Sequence, residues 1–430
     1  MFRSFRYYNF RIWIAGILVS NLGVWMQRTA QDWIVLTELT NHNATAVGLT
    51  NALQFAPQLV LVGLTGTLAD RVDRRKLLAV TQSSMAVLAV ILAVLALGGW
   101  LEMWMMYALA LGLGLANAFD IPARQSFVAQ LVEKQDLANA ASLNSASFNL
   151  ARLIGPGVAG LLIALIGSGW LFALNAASFI AVLMALFALR PAEIITVTRA
   201  EGETGTFREG LRYLRTRPDI IAVTVGMFAF GGFGYTLSIS TSTMAYVEFQ
   251  ESATVFGIMG SAVAVGSLMG ALLIARMTVV RLRHLALASL GFGIASFTAA
   301  IMPTTWTFIG SLVALGLTML LLMSGANAYV QVSTPSQYLG RVLAIYSAAF
   351  VGAIPVGAIP VGWVADTFGP RWTLIVSAGS GFFAAAMIIG YAIWAGVRLG
   401  RDPDRSWRIR VTTPERARTV VEAGEPGVSA

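Results

Sequence analysis

No cysteine occurs in this chain, and its only histidines, His42 and His284, lie in separate segments. Disulfides, thiolate metal sites and cysteine nucleophiles are excluded, and a histidine metal cluster has too few ligands to form. Charge is also scarce: acidic and basic residues make up 12% of the 430 residues, against about 25% in soluble domains. Lys76 and Lys134 are the only lysines, and no G-x-x-x-x-G-K-[ST] pattern includes either, so the chain has no P-loop of its own. Without paired histidines, HExxH or a nucleophile elbow, an intramembrane hydrolase has no support, and the chain does not read as an enzyme. What fills the space is apolar. Hydrophobic residues are 57% of the chain and the mean hydropathy is +0.72, the composition of a polytopic membrane protein.

The formal charge of +8 is no sign of a nucleic-acid partner, because the basic residues fall in short runs between apolar stretches. Long apolar windows predict twelve membrane helices, at 12–36, 45–68, 76–99, 101–122, 138–166, 169–189, 219–245, 253–276, 284–302, 304–330, 338–365 and 371–397. Each covers the ~20 residues a bilayer core requires, and their continuous apolarity excludes the alternation of a barrel. The first span is too long for a signal-peptide core and lacks a cleavage site, so it is expected to be retained. With both termini cytoplasmic, Arg371 is the only Lys or Arg in an outer loop, and Arg28 and Arg152 lie within spans. All other basic residues then face the cytoplasm. The fold class is thus all-α and membrane-embedded, in two bundles of six helices.

Domain limits follow from the polar stretches. Residues 1–189 form one six-helix bundle, and 190–218 form a cytoplasmic linker whose "FREGLRYLRTRP" reads as an amphipathic helix ended by Pro218. Residues 219–397 form the second bundle, and 398–430 a cytoplasmic tail expected to be mostly disordered. An offset of 202 residues sets "FVAQLVEKQDLANAASL" (127–143) on "YVQVSTPSQYLGRVLAI" (329–345), Gly155 on Gly357 and Gly160 on Gly362. This fits an internal duplication.

Polar residues inside the spans fall on faces. Asn21, Trp25, Arg28 and Asp32 lie within about 60° of one another on the first span, and Asn51, Gln54 and Gln58 make a second stripe. Such stripes face protein or water, since a charge facing lipid costs ~2.5–3.5 kcal/mol. Arg28 and Asp32, one turn apart, can pair directly, which keeps both charged and makes Asp32 a candidate proton acceptor. Their place in the outer half of the span equally fits a purely structural pair. Arg152 lies deeper and needs a partner: Asp120 is one candidate, but Asp120 can instead pair with Arg124. Arg152 could bind an anionic substrate group, relay coupling or serve structure. Met26, Trp33, Phe55, Phe148, Phe230, Tyr235 and Phe350 could line an apolar pocket or simply pack.

Two motifs carry a resemblance. "GTLADRVDRRKLL" (66–78) resembles the loop 2–3 signature of the major facilitator superfamily, through Gly66, Asp70, Arg71, Arg74, Arg75 and Lys76. Asp73 stands where the commonest form has a second glycine. "RLIGPGVAGLL" (152–162) resembles the glycine-proline motif of antiporting exporters in that superfamily, through Gly155, Pro156, Gly157 and Gly160, with Ala159 replacing one glycine. By packing alone these glycines permit close helix approach, and Pro156 should kink the span. "GAIPVGAIPVG" (352–362) repeats the interruption in the second half, and paired interrupted helices point to a substrate pathway. "SNLGVWMQRTAQDWIVLTELT", "ALQFAPQLVLVGLTGTLADR" and "LNSASFNLARLIGPGVAGLL" together look like the branch of bacterial enterobactin exporters and related drug-efflux proteins.

The resemblance implies a multi-pass protein of the bacterial cytoplasmic membrane, with a central cavity that alternates access and a loop 2–3 cluster that locks the outward-facing state. The expected function is secondary active export of amphipathic small molecules, drugs or siderophores, by proton antiport. The proton gradient is the energy source, with no cofactor and no metal. The expected partners are the small-molecule substrate, protons and the lipid bilayer. A facilitator or importer on the same fold, or a membrane receptor or scaffold that does not transport, is the alternative. The substrate and the oligomeric state are not written in these patterns.

Overall fold

The computed structural model describes residues 3–61, 65, 72–195, 207–277, 280–395, 398–402 and 405–412. The first bundle comprises α1 (Tyr8–Ile34), α2 (Ala44–Val60), α3 (Arg74–Leu97), α4 (Met103–Val128), α5 (Leu137–Ile166) and α6 (Ser168–Ala188). A short helix, α7 (Phe207–Arg215), follows. The second bundle opens with a broken span: α8 (Pro218–Ala229), a wide π-type turn (Phe230–Gly234), α9 (Leu237–Thr243) and a second wide turn (Met244–Glu248). It continues with α10 (Ala253–Ala275), α11 (Leu282–Ile301), α12 (Thr305–Ser333), α13 (Ser336–Phe368) and α14 (Pro370–Trp394).

Ten passages among the described residues are long and apolar enough to cross a membrane. The polar face of α1 lowers its apolarity, and the described part of α2 is only 17 residues long. Adding these two to the count is consistent with the twelve passages expected. The start of α1 and the end of α14 then lie at one end of the molecule, the termini end. The α1–α2 turn lies at the opposite, far end. Exposed tryptophans lie at both ends: Trp100, Trp104, Trp170, Trp306 and Trp372 sit beside helix starts at the far end, and Trp394 ends α14 at the termini end. Amphipathic indoles favour both levels of a bilayer.

Within the first bundle α1 packs on α5 and α6, α3 on α4 and α6, and α2 on α4. Within the second, α10 packs on α12, α11 on α12 and α14, and α8 on α14. The main contacts between the bundles are α2 with α13 and α5 with α10, and α9 also touches α1 and α2. One apolar core runs through both bundles, from Met26 and Trp33 to Phe230, Phe292 and Phe308. The duplication is visible in the caps. α5 and α13 both end on a glycine in the left-handed region, Gly167 (φ 86°) and Gly369 (φ 100°), which are 202 residues apart.

The linker is tied to the second bundle rather than lying free. Arg341 pairs with Glu209 of α7 at 2.9 Å, and Arg217 pairs with Asp219 at 2.7 Å. Arg217 also donates to the Ser333 carbonyl, and the Tyr329 hydroxyl donates to Asp219. Burial opposes the Arg217 charge, yet the hydrogen bond and charge of Asp219 hold its guanidinium above the usual range.

The described part of the tail is an antiparallel hairpin of β1 (Arg398–Asp402) and β2 (Arg405–Thr412). Trp407, Ile409 and Val411 alternate with polar residues there, the period-two pattern of a strand; residues 413–430 lie outside the described residues. The interruption expected at the Pro355–Pro360 stretch is not a break in the helix, and Pro156 makes none either. α5 and α13 run through those prolines as continuous helices. A proline removes one backbone bond, which neighbouring helices in a bundle tolerate.

Candidate functional site

A cavity of about 170 Å³ lies between the two bundles. α1 contributes Trp25, Arg28, Thr29 and Asp32; α2 contributes Asn51 and Phe55; α5 contributes Arg152 and Pro156. The second bundle closes it with Tyr235, Thr236, Ser238 and Thr241 of the broken span, with Phe256 and Gly260 of α10, and with Ile354 and Ala358 of α13.

Asp32 is 7% exposed, and the Asn51 side-chain amide donates to its Oδ1 at 3.1 Å. Arg28 does not pair with it, although the two are one turn apart. The Arg28 guanidinium lies over the Trp25 and Phe55 rings instead, at 5.3 and 5.4 Å from their centroids. The direct Arg28–Asp32 pair expected from spacing is therefore corrected. The aromatic faces draw the cation one way, and Asn51 draws the carboxylate another. Arg152 donates to the Ser267 hydroxyl of α10 at 2.8 Å, across the bundle interface.

Among the described residues no ion pair involves Arg28, Asp32 or Arg152. The cavity thus holds two guanidiniums and one carboxylate. A cation–π contact returns ~0.5–2 kcal/mol, less than the ~2.5–3.5 kcal/mol that a charge costs in a bilayer centre.

The other predicted polar residues lie elsewhere. Asp120 is fully engaged inside the first bundle: Arg124 pairs with it at 2.6 Å, and Thr81 and Gln82 donate to it at 2.8 and 2.7 Å. Of its two candidate partners, Arg124 is the one it takes. Asn21 joins this network by accepting from Arg124 at 3.2 Å, outside the cavity lining. Gln54 donates to Gln31 of α1 at 2.8 Å and packs between helices. Gln58 does not line the cavity and sits on α2 nearer the termini end.

In the loop 2–3 signature, Gly66, Asp70 and Arg71 lie outside the described residues. Asp73 caps α3, its carboxylate accepting from the backbone of Arg75 and Lys76 at 2.9 and 3.2 Å. That is a physical use for the departure from glycine. The Arg75 guanidinium donates to the Leu186 carbonyl at the end of α6, while Arg74 begins α3.

The glycine-proline motif forms the α5–α10 crossing. A Cβ on Gly160 would lie 2.4 Å from the Ala253 carbonyl oxygen, so only glycine fits. Gly155 lies against Trp25, Gly157 against Ser261 and Pro156 against Gly260, so the motif joins the cavity wall to the second bundle. The cavity is sealed at the far end. Trp33 stacks on Phe256 and meets Tyr246 edge-on, at 5.6 and 5.4 Å, and His42 covers Tyr246 at 4.9 Å.

Sequence reasoning missed the broken span. "FGGFGYTLSISTST" reads as one apolar window, yet it supplies four hydroxyl-bearing side chains to the cavity, Tyr235, Thr236, Ser238 and Thr241. The paired glycines were the available signal, since they let the helix widen and break.

A family model described as transmembrane secretion effector matches residues 1–411. The chain belongs to this branch of the major facilitator superfamily. Among the curated members it resembles, the staphyloferrin A transporter of Staphylococcus aureus is 28% identical over 359 residues, 81% of this chain and 87% of that one. The enterobactin exporter EntS of Shigella boydii is 26% identical over 73% of this chain and 75% of its own. A bacterial homologue of the human lysosomal transporter Spinster, solved inward-facing and occupied, superposes with a TM-score of 0.67 at 15% identity. That match covers 91% of this chain and 97% of the other. The nucleoside transporter NupG gives 0.65 at 14% identity, over 89% and 99%. The protein is a multi-pass membrane transporter of the major facilitator fold, and the cavity lies where that fold's two bundles meet.

Proposed function

We propose that the protein exports anionic, amphipathic small molecules of the siderophore kind, by proton antiport and alternating access. The observation that carries this is the cavity's charge: Arg28 and Arg152 face it without ion-pair partners among the described residues, and Asp32 stands as its one carboxylate. Guanidiniums recognise carboxylates and other planar anions, while Trp25, Phe55 and Tyr235 offer apolar faces to the rest of the guest. Asp32 is the proton carrier in this reading. It faces the cavity and accepts from a neutral amide rather than a fixed cation.

The distribution of arginine supports cytoplasmic termini in a bacterial cytoplasmic membrane, with the far end outside. The sealed far end then makes this conformation inward-facing, ready to load from the cytoplasm. The relatives' substrates, staphyloferrin A and enterobactin, motivate the choice of guest.

The test is reconstitution in liposomes with an imposed pH gradient, offering staphyloferrin A, enterobactin, a cationic dye and a neutral sugar. The expected result is gradient-driven movement of an anionic siderophore against the proton flow. Preference for the cationic dye, or flux indifferent to the gradient, would overturn the reading. An importer would run the siderophore the other way in the same assay.

A further inference from the structure

Asp366, near the end of α13, makes an unusual set of bonds. Its carboxylate accepts from the backbone N–H of Ala44 at 2.7 Å, from that of Thr45 at 2.8 Å and from the Thr45 hydroxyl at 2.5 Å. Ala44 and Thr45 are the first two residues of α2, in the opposite bundle. The N–H of the third, Ala46, is taken by the helix's own cap, Asn43, at 2.8 Å. A helix start presents unpaired donors and partial positive charge, normally satisfied by the residue just before it. Here a carboxylate 321 to 322 positions away satisfies two of them.

The surrounding sequence repeats the loop 2–3 signature. "GTLADRVDRR" (66–75) and "GWVADTFGPR" (362–371) share glycine, alanine, aspartate and arginine at their first, fourth, fifth and tenth positions. The tenth residues do the same job. Arg75 donates to the Leu186 carbonyl at the end of α6. Arg371 donates to the Ala300 and Met302 carbonyls at the end of α11. The first copy follows a passage towards the termini end and the second follows one towards the far end. They are related by inverted topology.

The duplication supplies a control. The offset of 202 residues that aligns α13 with α5 sets Asp366 on Ala164. Gly362 packs on Ala44 and Thr45 at the start of α2, as Gly160 packs on Ala253 at the start of α10. The same crossing therefore closes at α5 without a carboxylate, so packing alone does not call for one at α13.

We propose that Asp366 is a far-end latch: it caps α2 only while the bundles are closed there, and it biases the transporter towards the state seen here. Opening the far end separates α13 from α2 and strips both backbone bonds in one step. The latch is then the inverted counterpart of the loop 2–3 cluster, holding the opposite state. This rests on the alternating-access reading above.

The natural absence of cysteine allows paired spin labels on the full chain in lipid nanodiscs. One pair, Trp100→Cys with Trp306→Cys, spans the far end; another, Lys134→Cys with Arg276→Cys, spans the termini end. All four sites are exposed. In Asp366→Asn the open far-end population should rise about threefold and the open termini-end population fall. Ala164→Asp, which adds a carboxylate at the symmetric crossing, should shift both the other way. If the parent samples both states but neither variant moves the populations, the latch is refuted. If the parent shows one fixed distance at each end whatever the pH or added siderophore, alternating access itself fails, and the latch with it.

Discussion

At the scale of the residue, the central features are two arginines without ion-pair partners among the described residues and one carboxylate in a cavity shared by both bundles. If the arginines hold the substrate's negative charge, Arg28→Gln and Arg152→Gln should each raise KM for an anionic siderophore about tenfold, or ~1.4 kcal/mol. A neutral substrate's KM should hardly change, and initial-rate transport measurements separate the two. Arg28, Asp32, Arg152, Asn51 and Tyr235 were legible in the sequence, because charged or polar groups in apolar windows must face something other than lipid. Asn21, Gln54 and Asp120 obeyed the same rule but face neighbouring helices. Periodicity gives the face of a helix, not what stands opposite it. Thr236, Ser238 and Thr241 left no such signal. A hydroxyl can bond back to its own helix, as Thr241 does to the Leu237 carbonyl at 2.9 Å, so Ser and Thr pass unremarked in apolar runs.

At the scale of the element, the bundles are joined by crossings that need small residues. Gly160 on α5 and Gly362 on α13 each face the first residues of an opposing helix. Gly160→Ala sets a methyl against the Ala253 carbonyl, and overpacking of this kind costs about 1–3 kcal/mol. The detergent-solubilised variant should melt several degrees below the parent. Gly310→Ala on α12, where an added Cβ meets nothing within 4 Å, should melt with the parent. Helix number and duplication were readable because bilayer thickness fixes span length and the repeated glycines keep their offset. The break between α8 and α9 was not. It depends on how Phe230–Gly234 widens against α13, a tertiary effect that a window of apolar residues does not encode.

At the scale of the whole molecule, the cavity sits on the line where the two bundles meet, and the far end is closed over it. The aromatic seal of Trp33, Tyr246 and Phe256, the α5–α10 crossing and the Asp366 cap all lie on that side. In the proposed export cycle this state loads from the termini end, and those contacts break to release the cargo. In the proposed proton-driven cycle the energy enters through a group that changes charge while facing the cavity, and Asp32 is the one carboxylate among the described residues that line it. The most direct test is siderophore transport in liposomes under an imposed pH gradient, comparing the parent chain with Asp32→Asn at matched protein content. Gradient-driven transport should vanish in the variant, while exchange of siderophore between equal pH values persists. Unchanged gradient-driven transport in Asp32→Asn would contradict the account.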